Sequence, residues 1–122
     1  IALLDARKGI KMFEKVGVPI LGLVENMAVH VCSNCGHAEH IFGEGGGRRL
    51  AQELGMHYLG ALPLDLKIRQ QADSGQPTVV ADPQSEAAGI YRQVARDVAA
   101  RIALQSKDFS AKFPTITVSK NT

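Results

Sequence analysis

Apolar residues in this chain recur at helical spacing in several stretches and run together in two short ones. Over residues 2–16, Leu3, Ala6, Ile10 and Phe13 step by three and four onto one face, with Arg7, Lys8 and Lys11 off it, which predicts a helix. Gly17 ends that pattern, and Pro19 follows where a helix could not continue. Residues 20–24 are almost wholly apolar; their length and flanking breakers predict a strand buried on both faces. Gly45, Gly46 and Gly47 lead into a second helix, whose stripe of Leu50, Ala51 and Leu54 stops at Gly55. Residues 57–62 form a second strand candidate. Strand, helix, strand in that order is a βαβ unit, so the two strands should be parallel.

Pro63 breaks the chain after the second strand, and Asp65 is placed to cap a helix over 66–74. Residues 77–80 read as extended. The longest helix starts near Asp82-Pro83 with Ser85 or Asp82 as N-cap, and its core face reads Ala87, Ile90, Tyr91, Val94, Val98 and Ile102. The expected organisation is one domain over 1–104 and a polar, partly disordered tail over 105–122 with a β-prone patch at 116–118. Hydrophobic residues make up 45% of the 122, enough for a real core, which excludes a disordered chain. No apolar run approaches the roughly 20 residues of a membrane span, and nothing reads as a signal peptide. A net charge of +2 is too small to imply a nucleic-acid partner. The chain opens at Ile1, already inside a helical pattern, which reads as a piece of a longer protein.

Residues 25–43 have no clean period, yet they hold both cysteines and three of the four histidines. Length alone marks them as a functional loop. Cys32 and Cys35 sit two residues apart, so both sulfurs can turn toward one metal ion, one iron–sulfur cluster or each other. With no secretion signal, the pair reads as metal-binding or catalytic in a reducing cytoplasm rather than as a structural disulfide. A redox pair would normally cap a helix start, and no helical stripe begins at Cys35. One pair is half of a four-ligand site. Either His37 and His40 complete it, as in a structural zinc module, or a second copy brings its own pair. A plain interaction domain whose thiols bind nothing is the remaining alternative.

Two further segments suggest ligands. The Gly43-Glu44-Gly45-Gly46-Gly47 run looks like a phosphate cradle, but the chain has no Gly-Lys dipeptide, so it reads as a loop-to-helix joint. Asn26 follows the first strand at the carboxyl edge of a parallel sheet, where open α/β folds bind ligands. Its amide suits an adenine edge, although a turn-forming Asn would look the same.

The runs Pro19-Ile-Leu-Gly-Leu-Val-Glu-Asn-Met27, His30-Val-Cys-Ser-Asn-Cys-Gly36 and Ile41-Phe-Gly43 with Gly45-Gly-Gly47 resemble the Mrp-type iron–sulfur cluster carrier ATPases of the MinD/ParA-like P-loop superfamily. So do Leu59-Gly-Ala-Leu-Pro-Leu-Asp65, Gly75-Gln-Pro-Thr78 and Ile90-Tyr-Arg92, over residues 1 to about 103. The resemblance implies an α/β fold: the C-terminal portion of a doubly wound, mainly parallel P-loop NTPase sheet with flanking helices. It implies a [4Fe–4S] cluster held by Cys32 and Cys35 across a homodimer, with zinc as a possible substitute, and delivery from scaffold proteins to apo-proteins. It also implies ATP with magnesium in the full-length protein, with Asn26 on the adenine and Pro63 to Asp65 as the other wall. The family's Gly-Lys-rich loop, switch residues and magnesium ligands have no counterpart here, so this chain alone should not hydrolyse ATP. The expected compartment is the cytoplasm.

Overall fold

The computed structural model describes residues 1–105. Helix α1 spans Ala2–Lys15, followed by strand β1 at Leu23–Glu25, the short strands β2 at His30–Val31 and β3 at Ala38–Glu39, and helix α2 at Gly46–Glu53. Strand β4 at Tyr58–Ala61 precedes helices α3 (Leu66–Asp73), α4 (Thr78–Ala81) and α5 (Glu86–Gln105). β1 and β4 pair in parallel, with Leu23 opposite Tyr58 and Glu25 opposite Ala61. Helix α2 packs on both strands and α5 packs on β4, which gives the α/β class with a parallel sheet and flanking helices. The core is small: Ile10, Ala28, Leu50, Ala51, Leu59 and Ala88 are its buried apolar residues.

The apolar run at 20–24 yields a strand that starts later than its composition suggests. Pairing sets in where Leu23 N donates to His57 O at 2.8 Å, just past Gly22. A Cβ on Gly22 would lie 2.6 Å from His57 O and 2.8 Å from Leu59 Cγ, so only glycine lets the incoming chain approach β4 this closely.

From Thr78 the segment is helical, not extended, and only Pro77, the N-cap with ψ 150°, keeps an extended backbone. The Pro77 carbonyl accepts from Val80 N at 2.8 Å and Ala81 N at 2.9 Å, while proline's fixed φ suits a helix start. Thr78 is buried with its hydroxyl donating to Gln71 Oε1 at 2.8 Å, and α4 packs on α3 and α5. Tertiary contact overrides the β-branched propensity of Val79 and Val80.

Asp65 caps α3 as expected, its Oδ1 accepting from Lys67 N at 2.8 Å. Of the two caps considered for α5, Ser85 serves: its Oγ accepts from Ala88 N at 3.2 Å. On that helix Ala88 is fully buried although the expected face omitted it, and Ile102 is exposed. Leu54 is also exposed, sitting past the end of α2. The tail expected from 105 supplies only the last residue of α5; 106–122, with the patch at 116–118, lie outside the described residues.

Two glycine substitutions test this account in opposite directions. Gly22→Ala should lower stability by about 1–3 kcal/mol through overpacking. Gly9→Ala, mid-helix in α1 with nothing within 4 Å of the new Cβ, should raise it by about 1 kcal/mol. Urea unfolding midpoints measure both, and an unchanged midpoint for Gly22→Ala would contradict the close approach of β1 to β4.

Candidate metal centre

Backbone pairing does not stop where β1 and β4 end. Leu62 N donates to Glu25 O at 2.8 Å, Ala28 N to Leu62 O at 2.9 Å, and Leu64 N to Val29 O at 2.8 Å. A further parallel bridge joins His30 to Leu64. The chain leaving β1 is therefore carried beside the chain leaving β4, and an antiparallel hairpin grows out of it. In that hairpin His30 pairs with Glu39 and Val31 with Ala38. Sequence periodicity gave no sign of it, since strands of two residues are too short to show alternation.

The cysteines sit in the hairpin turn. Cys32 N donates to His37 O at 2.9 Å and Gly36 N returns to Cys32 O at 2.8 Å, folding residues 32–37 into a compact knuckle. Gly36 takes φ +73°, a left-handed conformation that favours glycine. Both thiols are free; Cys32 is half-buried and Cys35 exposed. Backbone N–H groups of Cys35 and Asn34 donate to the Cys32 sulfur, and the Cys35 side chain adds a further hydrogen bond. These donors stabilise the thiolate and hold the Cys32 pKa below the ordinary cysteine value, against smaller opposing effects of burial and the Glu39 charge. A turn that solvates a sulfur anion with peptide dipoles suits a soft metal or cluster.

The histidines are not arranged as ligands beside the thiols. His40 Nδ1 lies 2.9 Å from Ala28 O, and its Nε2 3.9 Å from Glu44 Oε1. His37 Nε2 lies 3.6 Å from Glu39 Oε1, and His30 Nδ1 3.1 Å from Leu64 O. Among the described residues no three His, Cys, Asp or Glu side chains converge as a metal site. The zinc module of Cys32, Cys35, His37 and His40 is thus not assembled within one chain. His40 turns away to the backbone at the hairpin's root, its Nδ1 2.9 Å from Ala28 O.

The expected nucleotide residues are divided between two cavities. Asn26 is exposed; its Oδ1 accepts from Met27 N at 2.9 Å, beside Met27 in a positive-φ conformation at 53°. It lines a cavity of about 300 Å³ with Met27, Phe42 and Gly47. Pro63 and Asp65 line another of about 230 Å³ with Val29, Ile68, Thr78 and Ile90. The glycine run does open α2, with Gly45 left-handed at its N-cap. There the Glu25 carboxylate stands close enough that a Cβ on Gly47 would meet its Oε2 at 2.9 Å.

Glu25 belongs to a small cluster that the sequence reading missed. Tyr58 OH donates to Glu25 Oε2 at 3.1 Å, and the Arg48 guanidinium lies 4.5 Å from the centre of the Tyr58 ring. Burial raises the Tyr58 pKa, and the Glu25 charge and hydrogen bond raise it further. The contact lies off the strand register, since Tyr58 pairs with Leu23 and Glu25 with Ala61, so no local sequence signal marks it.

Comparison with known proteins gives this arrangement its relatives. Residues 1–99 match a family described as ParA: NUBPL iron-transfer P-loop NTPase. The chain is 63% identical over 95 residues to an iron-sulfur cluster carrier protein of Pseudomonas fragi, covering 78% of this chain and 33% of that one. Against the iron-sulfur cluster carrier protein of Escherichia coli strain K12 it is 55% identical over 107 residues, covering 88% of this chain and 29% of the other. The iron-sulfur cluster transfer protein NUBPL of Mus musculus is 51% identical over 102 residues, covering 84% and 32% respectively. This chain therefore spans about a third of the length of the curated relatives it matches. Among solved structures, a nucleotide-binding protein of Archaeoglobus fulgidus in complex with ADP superposes with a TM-score of 0.53 at 31% identity, covering 67% of this chain and 32% of that one.

The donor arrangement at Cys32 has a measurable sign. A lowered pKa means more thiolate at a given pH, so alkylation of Cys32 in a Cys35→Ser chain should reach half its maximal rate at lower pH than in an unfolded peptide of the same sequence. Serine keeps the backbone donors. A midpoint equal to or above that of the peptide would show that the N–H groups do not face the sulfur.

Proposed function

The chain belongs to the ParA family of NUBPL iron-transfer P-loop NTPases, and from that premise we propose that it carries an iron–sulfur cluster as cargo on Cys32 and Cys35. The observation that supports this reading is the knuckle itself: two free thiols in one turn, one solvated by peptide N–H groups, with no third ligand converging among the described residues. A [4Fe–4S] cluster ordinarily takes four thiolates, so two copies of the chain supply them across a two-fold axis. Cys35 is exposed, and a cluster at such a seam is open to the thiols of an apo-protein, which displace it one ligand at a time. The apo-protein receives the cluster and the two chains recover their free cysteines.

Nucleotide enters this reading through the whole protein. ATP with magnesium would bind there, with Asn26, Pro63 and Asp65 at the base, and its turnover would set when the cluster is held or released. The chain has no Gly-Lys loop to cradle phosphates, and the Glu25 carboxylate at the start of α2 repels them. On its own it should bind cluster without hydrolysing ATP.

Anaerobic reconstitution with iron and sulfide should give a broad visible charge-transfer absorption, which zinc lacks. The loaded protein should hold about one cluster per two chains and sediment as a dimer. The Cys32→Ser, Cys35→Ser double variant should take up none. A full cluster on a strict monomer would overturn the shared-ligand reading, and cluster uptake by the double variant would remove the cysteines from the site.

A further inference from the structure

The hairpin that carries the cysteines is short, with two paired residues on each strand, and two of its histidines reach the backbone at its root. A carbonyl oxygen only accepts hydrogen bonds, so the ring nitrogen facing it must carry the proton. His30 Nδ1 at 3.1 Å from Leu64 O and His40 Nδ1 at 2.9 Å from Ala28 O therefore require the Nδ1–H form of both rings. The two acceptors are not equivalent in the chain. Ala28 is buried and belongs to the segment leaving β1; Leu64 belongs to the segment leaving β4. His30 stands on the outgoing arm of the hairpin and His40 directly after the returning one. Each arm is thus tied, by one ring, to a different one of the two segments that support it.

We propose that His30 and His40 are positioning residues for the cysteine pair: two ring clips that fix the hairpin's root and so set how firmly Cys32 and Cys35 hold a cluster. This rests on the carrier reading above. Their Nδ1 atoms face backbone carbonyls, and the rings are not assigned as ligands. They act through the backbone, by limiting how far the two arms can splay. A pair of two-residue strands has little ladder of its own to resist that motion, and a splayed root breaks the Cys32 N to His37 O bond that closes the knuckle. The His37 ring instead faces the exposed Glu39 carboxylate on the same hairpin, its Nε2 3.6 Å from Oε1.

The first test needs no variant. Long-range proton–nitrogen NMR on the metal-free chain should show neutral His30 and His40 protonated at Nδ1, and Nε2 protonation at His40 would overturn the proposal. The second compares variants at His40, whose alanine removes the donor while asparagine keeps an amide N–H near the position of Nδ1. In His40→Ala the Gly36 amide should exchange faster, and a reconstituted cluster should pass to excess EDTA about fivefold faster, the scale of one net hydrogen bond. His40→Asn should restore both toward the parent. Equal cluster loss in His40→Ala and the parent, or loss in His40→Asn as fast as in His40→Ala, would also overturn it. A parent chain that takes up no cluster sinks the carrier reading instead. The tautomers and the Gly36 exchange still decide whether the rings clip the hairpin.

Discussion

The run of backbone hydrogen bonds between residues 23–30 and 57–64 is the constraint on which the rest depends. It begins at Leu23 N to His57 O, passes through the parallel pairing of β1 with β4, and continues through Ala28 N to Leu62 O and Leu64 N to Val29 O. Each bond is individually modest, but together they hold two segments of the chain side by side well beyond the strands. Gly22 admits the first of these bonds by lacking a Cβ. The cysteine hairpin and the cap of α3 at Asp65 both start from positions this run dictates.

Much of the architecture was legible because several local signals agreed. Leu50 and Ala51 lie buried on α2 as their spacing required, and Gly55 ends the helical turn where expected. Asp65 caps the helix it was assigned. The limits are equally physical. In α1, Leu3, Ala6, Ile10 and Phe13 share a face, but Ile10 alone among them is buried. Periodicity reports which side chains point the same way; it does not report whether anything covers them. Pro77 to Val80 carries β-branched residues that read as extended, yet burial of Thr78 and its bond to Gln71 decide for a helix.

The site divides along the same line. The spacing of Cys32 and Cys35 could be read directly, because two intervening residues suffice to set the geometry of the turn. The alternatives for what completes it could not be separated by sequence, since His37 and His40 are near in sequence and their rings are directed by distant partners. His40 bonds to residue 28 and His30 to residue 64, contacts that no local pattern encodes. The same holds for Glu25, Tyr58 and Arg48, which meet because β1 and β4 lie side by side in parallel.

Gly36 closes the knuckle with a left-handed φ, yet nothing lies within 4 Å of where its side chain would be. The demand at that position is therefore one of handedness and not of volume. An L-residue meets a torsional penalty there although its Cβ has open space, whereas a D-residue prefers that handedness. The turn that presents the two sulfurs is thus a place where the mirror-image amino acid is the better fit. A chemically synthesised chain with D-alanine at position 36 would keep the knuckle while narrowing the freedom of the unfolded turn.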